Sequence, residues 1–178
     1  MKLVVNASKG FSMIEVLVSL LLIVVGVLGM VAMQSKAIPY TQDSVQRNTA
    51  IMLAQDLLEL IRTDPDHVAY YRKAVNTPFP TPATACIPTP TVNTATAQQD
   101  VNNRVGCWGQ RAMAALPGGT TLGPGSFYIC QNAQAGNTAS CTGGDSIEIQ
   151  LAWTVKMGGC MTSDSNATTC TYQIRTKI

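Results

Sequence analysis

An unbroken apolar run from Phe11 to Met33 constrains this chain more than any other feature. It is about 23 residues long and holds one charge, Glu15, with Ser12 and Ser19 as its other clearly polar side chains. As an α-helix it would extend roughly 34 Å, enough to cross a hydrocarbon core of about 30 Å. Lys2 and Lys9 precede the run, and no basic residue follows until Lys36. That bias predicts a cytoplasmic N-terminus and sends the chain after residue 34 outward. An ionised acid at a helix centre costs about 2.5–3.5 kcal/mol on insertion scales, but Glu15 lies only one turn inside, where snorkelling lowers the cost. On position alone, Glu15 also fits a tolerated interfacial acid in an ordinary signal anchor. A secretory signal peptide fits less well. Its apolar region would span about 7–15 residues before a small-residue cleavage site, and Val31-Ala32-Met33-Gln34-Ser35 offers no convincing A-x-A site. The apolar arm is therefore expected to be retained.

Directly before the run, Lys9 and Gly10 suggest a processing site. The stretch Gly10-Phe11-Ser12-Met13-Ile14-Glu15-Val16-Leu17-Val18 resembles the N-terminal signature of type IV prepilins and the related pseudopilins. The resemblance implies a leader over residues 1–10, cut by a prepilin peptidase between Gly10 and Phe11, with N-methylation of Phe11. It also implies that Glu15 pairs with the Phe11 amine of a neighbouring subunit once the arms bundle. A buried carboxylate needs such a partner, and a charge-assisted contact would also set axial register. Val24-Val25-Gly26-Val27-Leu28-Gly29-Met30 and Leu116-Pro117-Gly118-Gly119 further resemble the PilV-type minor pilins. Gly26 and Gly29 lack Gly-x-x-x-Gly spacing, so they read either as points of close helix approach or as ordinary glycines of a membrane helix.

Four segments are expected: the leader (1–10), a transmembrane and assembly helix (11–33), a periplasmic spine helix (34–63) and a disulfide-rich head (64–178). Pro39 removes a backbone donor and predicts a kink or local break. Beyond it, Ala50, Leu53, Ala54, Leu57, Leu60 and Ile61 recur at helical spacing. Gln42, Asp43, Gln46, Arg47 and Asn48 read as polar surface, and Thr63-Asp64-Pro65-Asp66 as a stop. Residues 76–99 are too proline-rich for a helix or central strand and read as an exposed loop, with variable partner contacts as the alternative to a solvated connector. Val101, Val105, Trp108, Ala112 and Leu116 mark one face of a short helix ended by Pro117-Gly118-Gly119. Strands are expected from Gly125 to Cys130, over Ile147–Met157 with one buried face, and from Tyr172 to Ile178. Gly143-Gly144 and Gly158-Gly159 read as turns. The expected fold class is α+β, a long N-terminal helix packed on a small antiparallel sheet, which is the pilin-like architecture.

Charged residues make up only 12% of the chain and aromatics 6%, against about 25% charged in soluble domains. The formal charge of +2 comes from Lys2 and Lys9; without them basic and acidic side chains balance. Nucleic-acid binding therefore lacks a basic patch. All six cysteines, Cys86, Cys107, Cys130, Cys141, Cys160 and Cys170, follow the arm. An even count in an oxidising compartment favours three disulfides, for which the sequence alone allows 15 connectivities. The sequential set Cys86–Cys107, Cys130–Cys141 and Cys160–Cys170 is preferred because the last two close short loops. No C-x-x-C occurs and His67 is the single histidine, so neither metal nor cofactor is expected. One histidine and no Gly-x-Ser-x-Gly element also weigh against a hydrolase.

The resemblance implies a non-enzymatic minor pilin that helps to prime or modify type IV pilus assembly, with roles in piliation, twitching motility and adhesion. Its implied partners are other minor pilins, the major pilin, the prepilin peptidase and methylase, the inner-membrane assembly platform and, before assembly, membrane lipid. It would start as a single-pass inner-membrane protein with a periplasmic head and end in the surface pilus. The alternatives are a minor pseudopilin of a type II secretion system and a binding protein on a plain membrane anchor.

Overall fold

The computed structural model describes Gly10 and residues 12–83, Cys86, 96–131, Cys141, 143–161 and 166–177. Most of the leader (1–9), Phe11, parts of the proline-rich segment (84–85 and 87–95) and Ile178 lie outside the described residues. Helix α1 runs from Met13 to Arg62. Glu15 and Val16 open it by donating their backbone N–H groups to the Ser12 carbonyl. The helical assignment continues through Pro39, so the expected local break is absent. Asp64 donates its N–H to the Ile61 carbonyl, and Pro65 then opens a 3-10 segment from Pro65 to Tyr71.

Contacts divide the chain into two units, one ending at Ile38 and one beginning at Pro39. In the first unit every described side chain of the helix is exposed. In the second unit, the α1 residues Ala50, Leu53, Ala54, Leu57 and Ile61 are buried as their spacing predicts, and Leu58 joins them. Leu60 is half-buried.

Helix α2 extends from Ala97 to Ala115, and its N-terminal cap is Thr96, whose hydroxyl accepts the Gln99 N–H at 3.3 Å. At 19 residues it is longer than expected. Val101, Val105, Trp108 and Ala112 are buried on one face, and Leu116 is buried at its end. Gly118 then takes φ +70°, and a Cβ there would collide with the Thr154 side chain. Only glycine meets both demands.

Helix α3 spans Gly119–Ser126 and strand β1 Tyr128–Gln131. A strand from Gly125 was expected, but Gly125 and Ser126 close α3. Strand β2 is Ser146–Thr154 and β3 is Thr169–Lys177. They form one antiparallel sheet in the order β1-β2-β3. The sheet and the buried stripe of α1 contribute to one core, where Trp153, Tyr71, Phe127, Leu57 and Ile149 are among the largest fully buried side chains.

Three expectations about surfaces change. Strand β2 stops at Thr154, and Lys156–Gly159 forms a turn in which the Gly159 N–H reaches the Lys156 carbonyl. Val155, just past the strand, is half-buried and still packs against the core, but Met157 does not continue the inner face and is 71% exposed. The expected single buried face of β2 is also incomplete, because Glu148 and Ala152 on the other face are buried too. The proline-rich segment is less open than its composition suggests. Phe79, Pro80 and Pro82 are partly buried, lying where Gly106 and Gly109 leave no room for a Cβ on α2.

Candidate assembly site

The arm shows its chemistry on its surface. Its large apolar side chains, from Met13 through Leu17, Leu21, Ile23, Leu28 and Met30 to Met33, are at least half exposed. A helix that is apolar on every side needs lipid or other helices around it. It is the one described helix long and apolar enough to cross a membrane. Glu15 stands in its first turn, exposed, and no ion pair reaches its carboxylate among the described residues. One turn on, the Ser19 hydroxyl donates to the Glu15 backbone carbonyl at 2.7 Å, so Ser19 satisfies itself locally and leaves the carboxylate alone. Gly10 is exposed, and a Cβ at Gly10, Gly26 or Gly29 would touch nothing within 4 Å. The predicted pairing partner, the amine of Phe11, lies outside the described residues.

The head holds its part of α1 with polar contacts that the sequence did not disclose. Asp43, expected on the polar surface, is fully buried. Its carboxylate accepts the Trp153 indole N–H at 2.8 Å and the Met161 backbone N–H at 3.0 Å. Arg47 stands 3.8 Å from the same carboxylate, with its guanidinium 5.6 Å above the Trp153 ring. A second indole, Trp108, donates to the Leu53 carbonyl at 2.9 Å. Each tryptophan thus satisfies its one polar group against α1 while its ring fills the core.

Two further ionisable side chains, Lys73 and Glu148, are among the buried polar groups. The Lys73 ammonium donates to the carbonyls of Phe127 (2.6 Å), Pro124 and Ala74 (both 3.3 Å) and lies 4.9 Å above the Phe79 ring. It collects the orphan carbonyls at the end of α3. Burial pushes its pKa down to about 8. On the sheet, Tyr128 donates to Glu148 at 2.6 Å and accepts from Gln173 at 2.7 Å. Burial, then the bond to Glu148, hold the Tyr128 phenol well above its ordinary pKa.

Three disulfides close the head: Cys86–Cys107, Cys130–Cys141 and Cys160–Cys170. The first ties the proline-rich segment to α2, the second ties the end of β1 to Cys141, and the third ties the turn after β2 to β3. Among the described residues, no three His, Cys, Asp or Glu side chains converge as a metal site. His67, at the end of the spine, bonds Asp64 at 2.6 Å and stacks on Tyr70.

The family described as the prokaryotic N-terminal methylation motif matches residues 5–31. The family described as type IV pilin Tt1218 matches residues 32–102. The chain is type IV prepilin-like. No curated protein and no solved structure matches it. The prepilin-like arm carries the methylation motif, and the pilin match takes in the spine, the 3-10 segment and the first residues of α2. The long helix with a small three-stranded antiparallel sheet is a pilin-like α+β arrangement. The two matches support a pilin-like structural protein and imply prepilin-type processing and pilus components in general, and the apolar helix fits a membrane-anchored pilin.

Of the residues singled out from sequence, the described structure leaves Gly10 and Glu15 on an open helix end and brings the six cysteines together in pairs. Asp43, Lys73 and Glu148 escaped the sequence reading. Asp43 carried a usable signal: it precedes Ala50 by seven residues and Leu57 by fourteen, which places it on the buried stripe. Glu148, between Ile147 and Ile149, carried none, because alternation alone assigns it to the outer face.

Proposed function

We propose that the chain is a minor pilin of the type IV pilus that primes or modifies filament assembly. The prepilin peptidase cuts between Gly10 and Phe11, and Phe11 receives the methyl group. The arm then spans the inner membrane, with its N-terminus cytoplasmic and its head periplasmic, until extraction into the filament. There Glu15 meets the Phe11 amine of a neighbour. The observation that carries this reading is an arm exposed on every side with a single acid in its first turn, coinciding with the methylation-motif match over residues 5–31. A plain lipid anchor gains nothing from that acid, whereas a bundle of arms needs a paired charge to choose its register. The minor role is supported by the likeness of Val24–Met30 and Leu116–Gly119 to PilV-type chains.

N-terminal mass analysis of the chain from its host tests the processing steps. N-methylated Phe11 is expected at the start; an intact Met1 would leave only the plain anchor. Recovery in sheared surface filaments, with loss of piliation and twitching on deletion, tests the rest. Normal pili with blocked exoprotein secretion would instead identify a type II pseudopilin.

A further inference from the structure

Few large apolar side chains are exposed in the described part of the head: Tyr40, Val45, Met52, Tyr70, Met157 and Met161. Three of these six, Tyr40, Met157 and Met161, lie on segments that meet near Pro39, where the head begins. The Lys156–Gly159 turn lies against Pro39, and a Cβ on Gly159 would stand 3.6 Å from the Pro39 Cβ. Asp43, one turn further along α1, holds the Met161 N–H at 3.0 Å. Tyr40 precedes Asp43 by three residues and so shares its helix face. The turn is rigid: Val155 and Gly158 donate to the Thr168 and Ala167 carbonyls, and Cys160 is bonded to Cys170. Even so, it presents Met157 at 71% and Met161 at 54% exposure, with the exposed Lys156 beside them.

We propose that this Tyr40–Lys156–Met157–Met161 surface is a lipid-contact site, seated on the headgroup layer of the bilayer before the subunit enters a filament. Six helical steps along α1 lead from Met33, the end of the apolar run, to Pro39, a path of about 9 Å at helical rise. A headgroup layer is about 5–8 Å deep on each side of the hydrocarbon core, so this path brings the chain to its outer edge. The side chains also have the matching chemistry. Tyrosine concentrates at membrane interfaces, lysine keeps its charge in the headgroups while its stem lies on apolar surface, and methionine adapts to an irregular apolar neighbour. The site rests on the reading of the arm as the bilayer-spanning segment.

Methionine oxidation provides the test without altering the chain. The protein, purified with its arm, is reconstituted in bilayers of phosphatidylethanolamine with a minor share of phosphatidylglycerol. It is exposed to hydrogen peroxide, and sulfoxide formation at each methionine is followed by mass spectrometry. Met52, 59% exposed on the spine, reports water access, and Met30, 68% exposed on the arm, reports insertion. Met157 and Met161 are expected to oxidise at least about fivefold more slowly than Met52, because oxidation follows access, with Met30 protected as well. Oxidation of Met157 and Met161 at the rate of Met52, with Met30 protected, would overturn the lipid-contact site and leave the arm reading intact. Rapid oxidation of Met30 would overturn both. Protection that appears only at high protein-to-lipid ratio would assign the surface to another copy of the chain and equally overturn the lipid site.

Discussion

Between Met13 and Met33, α1 turns leucine, isoleucine and valine outward on every side, whereas between Ala50 and Ile61 the same helix buries them along one stripe. The first stretch is completed by whatever surrounds it, and the second by its own head. Their polar groups follow the same division. Glu15 is exposed with no ion-pair partner among the described residues, while Asp43, 28 positions later, is fully buried and accepts two donors from the head. Carboxylates in one helix thus serve different ends. One faces outward with no ion pair among the described residues, and the other fastens a finished fold.

The largest expected effect falls on the arm. Gly10→Leu should block leader removal and trap the precursor in the inner membrane, leaving the head folded and its disulfides formed. Unchanged processing, seen as an unchanged mature mass, would misplace the cut. Glu15→Ala should leave cleavage after Gly10 largely intact but prevent incorporation into sheared filaments. Normal incorporation would remove the amine-pairing argument.

The head should respond in the opposite way, losing stability while processing continues. Asp43→Ala strands the Trp153 indole and the Met161 amide, so the head should lose about 3 kcal/mol, given about 1–3 kcal/mol for each buried donor left unsatisfied. Chemical denaturation with tryptophan fluorescence measures this. A loss under 1 kcal/mol would mean that water replaces the carboxylate. Replacing Cys160 and Cys170 together with serine should cost about 2–3 kcal/mol, the usual range for closing a short loop.

The smallest effect is a pH dependence. Lys73 titrates near 8 in the folded head, against an ordinary 10.5. Below pH 8 both folded and unfolded chains hold the proton. Between about 8 and 10.5 the unfolded chain keeps a proton that the folded chain has released, so stability rises with pH. The hydrogen bonds to three carbonyls and the Phe79 face offset part of the burial cost, which leaves a gain of about 1 kcal/mol from pH 8 to 10. Lys73→Met should abolish the rise. A fall in wild-type stability over that interval would mean that the carbonyl cage keeps the ammonium charged.

Local pattern revealed the elements whose period is simple. The apolar stripe of α1, the buried face of α2 and the alternation of Tyr172, Gln173, Ile174 and Arg175 all follow from one side chain meeting one face of the core. The pattern misled where a residue's environment comes from distant chain. Gly125 and Ser126 entered α3 because Gly118, held close to Thr154, starts a helix there. Phe79 and Pro80 left solvent because α2 offers them Gly106 and Gly109. Met157 left the strand because Thr154 is the last β2 residue and the chain turns at Gly158.

The sequence by itself determined the arm, its lone acid and the motif around Gly10. Those features depend on neighbours along the chain and on a uniform apolar solvent, so composition and spacing suffice to read them. Tertiary structure alone decided that Asp43 is a buried fastener of the Met161 amide, that Lys73 gathers the carbonyls around the end of α3, and that the Lys156–Gly159 turn lies against Pro39. In each case the partner lies far away in sequence. A polar group's burial is settled by whether that partner arrives to satisfy it.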